Sequence, residues 1–280
     1  MRVLPLYSVL GLLAMLGSEI GMLLDIEPFW SWHTPIAWTG YILFVDGLVW
    51  MWRGDSWLTS ARAEFAFLVV VSIPLWLVFE FYNLFIENWY YINLPEHPVA
   101  RYAGYAWSFA TIWPAIFETG DLMATLRGRS RPARRVGRPG RFTPWDWAAV
   151  VTGVALLTWP LVWPSPYLAA PVWLGFIFLL DPLNARAGGD SLSSDVRSSM
   201  YDRVTNLCLA GVVCGLLWEV WNYWAHAKWI YTVPILPNLK LFEMPLPGYL
   251  GFPVFALECF TMYVALRFLL WRGSCRSISL

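Results

Sequence analysis

Charged residues are scarce in this chain. They make up 14% of its 280 residues, against roughly 25% in ordinary globular domains. The apolar share is 58% and the mean hydropathy is +0.52. The formal net charge is zero, so no long-range attraction to a polyanion is expected. These features exclude a water-soluble domain, a nucleic-acid-binding protein and a disordered chain, and they indicate an integral membrane protein.

Residues that hold metals and cofactors are few as well. There are three histidines, and four cysteines that lack metal-site spacing. The sequence has no glycine-rich phosphate loop, no Gly-x-Ser-x-Gly motif and no lysine inside an apolar run. We therefore expect no disulfide framework, no metal and no other cofactor.

Several apolar runs are long enough to cross a bilayer as helices, which takes about 20 residues. The first is interrupted by Ser18 and Glu19 and does not resemble a cleaved signal peptide. The sequence predicts an all-α membrane protein of about eight transmembrane helices. The runs are about 5–24, 35–52, 65–86, 102–125, 146–164, 169–185, 204–226 and 247–270.

The basic residues lie almost entirely on one side of these runs. Sixteen of the 19 fall in the same set of connections, and Arg101, Lys228 and Lys240 are on the other side. The positive-inside rule then predicts that both termini are cytoplasmic, in a bacterial or archaeal cytoplasmic membrane. The Arg/Pro/Gly stretch at 127–144 is interpreted as a cytoplasmic linker that contacts anionic lipids.

The chain contains an internal repeat, because short motifs recur in the same order in both halves. We predict a first four-helix repeat at 1–126 and a second at 145–280. An even number of spans gives both copies the same orientation, so they form parallel repeats. The matches are Gly40–Asp46 with Gly175–Asp181, Gly54–Ser56 with Gly189–Ser191, Phe79–Asn83 with Trp218–Asn222, and Trp89–Tyr91 with Trp229–Tyr231.

Carboxylic acids fall inside the runs at matching places in the two copies. An acid facing lipid near the bilayer centre costs roughly 2.5–3.5 kcal/mol, so these side chains are expected to face the protein interior. Asp46 and Asp181 lie toward helix ends, where a structural cap and a functional role are both open. The candidate catalytic residues are Glu80, Glu219, Glu118 and Glu258.

Amides and aromatic rings accompany the acids. Asn83 and Asn222 follow Glu80 and Glu219 by one helical turn, where an amide can orient an acid or merely satisfy it. Tryptophan faces stabilise cations and form walls for flat polyenes, although core packing alone also explains them. The candidate substrate-binding residues are Asn83, Asn222, Trp76, Trp113, Trp218, Trp221 and Tyr82.

This arrangement resembles the duplicated lycopene cyclase domain of membrane-integral carotenoid cyclases. More loosely, it is similar to carotenoid hydratases and integral-membrane terpene cyclases. In each copy an acid-bearing helix precedes a Trp-x-Tyr loop, and a final helix carries Pro114 and Glu118, or Pro253 and Glu258. The resemblance implies acid-initiated cyclisation or hydration of an isoprenoid double bond, without a redox cofactor.

The leading hypothesis is therefore an isoprenoid-modifying or carotenoid-modifying membrane enzyme in which buried carboxylic acids protonate a C=C bond. Its expected partners are a lipophilic polyene substrate and membrane lipids. Two alternatives remain open: a proton-coupled transporter of lipids or metabolites, and a non-catalytic membrane subunit or pigment-binding scaffold.

Overall fold

The computed structural model describes residues 2–128 and 140–271. Within these two ranges the chain is mainly helical, and its eight long helices coincide with the eight apolar runs. The predicted linker at 127–144 lies largely outside the described residues, as do Cys275 and the arginines beyond Trp271. The long helices are α1 (Leu6–Leu23), α2 (Phe29–Arg53), α4 (Arg62–Ile86), α5 (Pro98–Leu126), α6 (Pro144–Val162), α7 (Ala169–Arg186), α9 (Asp202–Trp224) and α10 (Gly251–Leu270).

Of the helices in the described ranges, five are long and apolar enough to cross a membrane: α1, α4, α6, α9 and the segment Leu246–Leu270 that includes α10. The chain is therefore a helical membrane protein, as its composition indicates. The count of eight spans stays a prediction.

Helices pack in the same order in both halves. In the first half α1 packs on α2, while α5 packs on both α2 and α4. In the second half α6 packs on α7, while α10 packs on both α7 and α9. Glycines allow the closest approaches: a Cβ on Gly11 would lie 2.6 Å from the oxygen of Gly40, and one on Gly153 would lie 2.8 Å from that of Gly175.

Two short helices connect the long ones. The helix α3 (Trp57–Ser60) precedes α4, and α8 (Leu192–Arg197) precedes α9. Asp46 accepts hydrogen bonds from the hydroxyl of Ser56 and the amide of Leu58 at 2.8 and 2.9 Å. Asp181 makes the matching contacts with Ser191 and the amide of Leu192. Both aspartates therefore fix the starts of these short helices.

Strands connect the two halves at the end where α4 and α9 finish. The strands β1 (Trp89–Ile92) and β2 (Lys228–Tyr231) pair antiparallel and are called the ribbon below. A short hairpin of β3 (Lys240–Leu241) and β4 (Met244–Pro245) follows, and a 3-10 helix at Leu246–Leu250 leads into α10.

Ion pairs join helix ends at the opposite end of the molecule. Arg53 of α2 contacts Asp121 of α5 at 2.8 Å. Arg267 of α10 contacts Glu64 of α4 at 3.2 Å, and both side chains are buried. These pairs compensate charges that a membrane interior would otherwise exclude.

Candidate functional site

A cavity of about 140 Å³ lies between the two halves, beside the ribbon. Its wall includes one face of α5, on which Arg101, Tyr105, Ser108, Ile112 and Ala115 recur at helical spacing. From Arg101 to Ala115 this face is about 21 Å long. A wall of this length can accommodate the apolar part of an extended chain.

Tryptophans form much of the cavity wall. The Trp76 and Trp218 rings, one from each half, have centroids 6.1 Å apart, and Trp38 approaches Trp218 to 5.5 Å. Their faces can stabilise a positive charge on a ligand. The lining tryptophans include Trp38, Trp76, Trp89, Trp173, Trp218 and Trp229.

Glu80 lies behind this wall and accepts three hydrogen bonds on one oxygen. The hydroxyl of Tyr91 donates to Oε1 of Glu80 at 2.5 Å. The indole N–H groups of Trp76 and Trp89 donate to the same oxygen at 2.8 and 3.3 Å. All three donors line the cavity, so Glu80 is connected to the cavity through them.

Glu219 has the matching position in the second half but fewer donors. The hydroxyl of Tyr231 donates to its Oε1 at 2.9 Å. The backbone amides of Glu243 and Met244 lie nearby. Within the described part of the chain, Oε2 of Glu219 has no hydrogen-bond partner. The side chain is fully buried.

Two tyrosines, one from each half of the chain, line the same cavity. Tyr91 and Tyr231 lie on the paired strands of the ribbon, and both line the cavity. Burial, and then the neighbouring carboxyl of Glu80 or Glu219, raises the pKa of each hydroxyl well above its usual value. Both phenols therefore keep their protons at neutral pH.

Asn83 and Asn222 bind backbone rather than the neighbouring acids. The Nδ2 of Asn83 donates to the carbonyl of Trp89, and that of Asn222 to the carbonyl of Trp229, both at 2.8 Å. Their Oδ1 atoms accept from strand or pre-strand amides. Neither amide lines the cavity, so the structure gives both a role in holding the ribbon.

The remaining predicted acids lie away from the cavity. Glu118 is buried near Tyr7 and Tyr41. Glu258 is buried next to α7 and Tyr82. Neither is among the residues that line the cavity, whereas Glu80 and Glu219 are connected to it through Tyr91 and Tyr231.

Of the other predicted substrate-binding residues, Trp76 and Trp218 line the cavity, and three do not. The indole of Trp113 donates to the carbonyl of Cys259 at 2.9 Å. Trp221 packs edge-on against Trp38, and Tyr82 donates to the carbonyl of Leu157. Trp113, Trp221 and Tyr82 therefore have packing and hydrogen-bonding roles.

Sequence reasoning did not select Tyr91, Tyr231 or Arg101 as site residues. The repeated Trp-x-Tyr motif was a usable signal for the tyrosines, because a polar aromatic that recurs at the same place in both copies is unexpected in a plain loop. Arg101 has no counterpart in the repeat that would have singled it out.

Among the residues that the structure describes, no group of three or more His, Cys, Asp or Glu side chains could hold a metal ion. Comparison with known proteins finds no significant match, whether to a family model, a curated protein or a solved structure.

Proposed function

We propose that this protein is an integral-membrane enzyme that adds a proton to, and removes a proton from, an isoprenoid polyene in the cavity. The observation that carries the proposal is that Tyr91 and Tyr231, each hydrogen-bonded to a glutamate of its own half, both line this cavity. The resemblance to carotenoid cyclases supports the same reaction class.

The proposal includes eight membrane spans in two parallel four-helix repeats, with both termini cytoplasmic. The equal packing order of the halves, the matching contacts of Asp46 and Asp181, and the ribbon support the repeat. The ion-paired end, where most of the arginines lie, is then cytoplasmic, and the ribbon lies on the outer side.

In the proposed reaction Glu219 is the acid. Because Glu219 is fully buried, its ionised form would be costly. Glu219 therefore holds the proton and passes it to an alkene carbon through the hydroxyl of Tyr231. The electron pair of the alkene forms the new C–H bond and leaves a carbocation. The surrounding tryptophan faces stabilise that cation.

Glu80 is assigned the role of the base in this scheme, because the three donors to its Oε1 distinguish it from Glu219. A second alkene of the chain attacks the cation and forms a C–C bond. Loss of a proton to the Glu80–Tyr91 pair then gives a cyclic isomer of the substrate. If water attacks instead, the water loses the proton and the product is a hydrate.

Turnover in D₂O tests the proposal. Purified protein in lipid nanodiscs is incubated with lycopene or geranylgeranoic acid, and products are analysed by mass spectrometry. We expect an isomer or hydrate with deuterium on carbon. Glu219→Gln, Tyr231→Phe, Glu80→Gln and Tyr91→Phe should each slow its formation, by about 100-fold or more for the acids.

Tyr167→Phe is the matched control, because Tyr167 is exposed and does not line the cavity. Unchanged rates in all four site variants would contradict the proposal. Accumulation of unchanged ligand inside vesicles under a pH gradient would indicate the transporter instead, and a tightly held, unreacted chromophore would indicate a scaffold.

A further inference from the structure

The cavity wall carries a positive charge that the surrounding protein does not neutralise. Arg101 and Lys228 are the charged side chains among the lining residues that the structure describes. Lys228 is paired, because its Nζ lies 2.7 Å from Oε1 of Glu243. Arg101 therefore determines the net charge of the wall.

The structure shows no ion pair or side-chain hydrogen bond from Arg101 to any residue within 2–128 or 140–271. Glu80 and Arg101 both act electrostatically on Tyr105. The three donors to Oε1 of Glu80 are aromatic side chains rather than Arg101. Arg101 is only partly buried, and its guanidinium can pair with a ligand anion through charge-assisted hydrogen bonds.

The position of Arg101 relative to the apolar wall defines the shape of the ligand. Arg101 lies in the first turns of α5 and Ala115 lies farther along the same lined face, about 21 Å away. The charge of Arg101 is thus at one end of the α5 face that lines the cavity.

We propose that the cavity binds an amphipathic chain whose carboxylate or phosphate group pairs with Arg101 while its apolar part lies along α5. This inference rests on the proposed function only in taking the cavity as the substrate site, and it makes the substrate an anionic isoprenoid. A guanidinium binds carboxylate and phosphate equally well with two parallel N–H groups.

Binding of retinoic acid and of retinol tests the proposal, because they share a polyene chain and differ in charge. Quenching of tryptophan fluorescence in phosphatidylcholine nanodiscs measures both affinities. We expect the acid to bind at least 10-fold more tightly than the alcohol. Arg101→Gln should remove that difference and leave the affinity for retinol unchanged, and Arg101→Lys should retain part of it.

Arg62→Gln is the matched control: Arg62 lies at the start of α4, does not line the cavity and donates to the carbonyl of Leu58. Equal binding of acid and alcohol, or an equal loss of both in Arg101→Gln, would overturn the proposal.

Nanodiscs that contain phosphatidylglycerol distinguish the sources of the anion. Weaker retinoic acid binding there means that a lipid phosphate occupies the Arg101 site, and unchanged binding means that a free amphiphile does; both support an anion site.

The binding test needs no turnover. A preference for the acid without any D₂O-labelled product would refute the enzyme alone, and turnover without that preference would refute the anion site alone.

Discussion

Trp89 and Tyr231 face each other across the ribbon, and Tyr91 faces Trp229 in the same register. Exchanging the two strands therefore leaves these two Trp–Tyr pairs unchanged, and Tyr90 opposite Ile230 lies between them. Because each tyrosine is bonded to a glutamate of its own half, the ribbon presents the two Tyr–Glu pairs to one cavity from opposite strands.

The ribbon depends on Asn83 and Asn222. Asn83→Ala and Asn222→Ala each remove a donor and an acceptor for backbone groups at the strand starts. We expect each to lower the free energy of unfolding by about 1–3 kcal/mol, because these groups are left unsatisfied. Thermal unfolding measures this loss, and amide hydrogen exchange at 89–92 and 228–231 should accelerate. Weaker ligand binding with unchanged exchange would instead support the substrate contact that the sequence predicts.

The positions of the helices and of their acids were predictable from the sequence, because long apolar runs and buried carboxylates are expensive to place otherwise. The first run, 5–24, corresponds to a helix at Leu6–Leu23. The hydrogen-bond partners of the Asn83 and Asn222 side chains were not predictable. Asn83 is one turn from Glu80, yet it bonds to Trp89, because the chain turns after Ile86 and returns the strand backbone to the helix end.

The sequence also could not show whether the four glutamates meet in one space. Equivalent positions in two parallel copies show that Glu118 and Glu258 have matching environments, but not whether these environments meet. In the structure each one lies near the second helix of its own half, Glu118 beside Tyr41 and Glu258 beside Phe176.

We expect removal of the buried ion pair between Arg267 and Glu64 to cause a large loss of stability. Arg267→Met removes the cation that pairs with the buried Glu64 at 3.2 Å, whereas Asp190 keeps its pair with Arg203. Breaking a buried pair costs about 3–5 kcal/mol. The double variant Glu64→Gln/Arg267→Met should lose less than the two single losses added together. Thermal unfolding in detergent measures all three variants.

Arg197→Met serves as the control for that prediction. The side chain of Arg197 contacts Asp146 at 3.5 Å and is 54% exposed, against 9% for Arg267, and Asp146 keeps its pair with Arg186. Solvent screening makes the Arg197 pair weak, so we expect a loss below about 1 kcal/mol. Equal losses for Arg197→Met and Arg267→Met would contradict the view that burial makes the Arg267 pair important.

We expect alanine substitutions of Gly211 and Gly17 to change the stability of the protein in opposite directions. A Cβ on Gly211 would overlap with the carbonyl oxygen of Phe252 and lie 2.8 Å from Cα of Pro253, so Gly211→Ala must separate α9 from α10. We expect a loss of about 1–3 kcal/mol. A Cβ on Gly17 of α1 meets no atom of the described chain within 4 Å. Gly17→Ala should therefore stabilise by about 0.5–1 kcal/mol. A Gly211→Ala variant as stable as the unchanged protein would refute the close packing of α9 on α10.

Substitutions of Glu258 distinguish a catalytic role of this side chain from a purely structural effect on stability. It is fully buried, and neither of its oxygens has a hydrogen-bond partner in the part of the chain that the structure describes. Glu258→Met keeps a similar volume and removes the unsatisfied group, so we expect stability to rise by about 1–3 kcal/mol. Glu258→Gln stays polar and should gain nothing. Because Glu258 does not line the cavity, turnover in D₂O should persist in both variants, and its loss with the fold intact would restore Glu258 to the reaction.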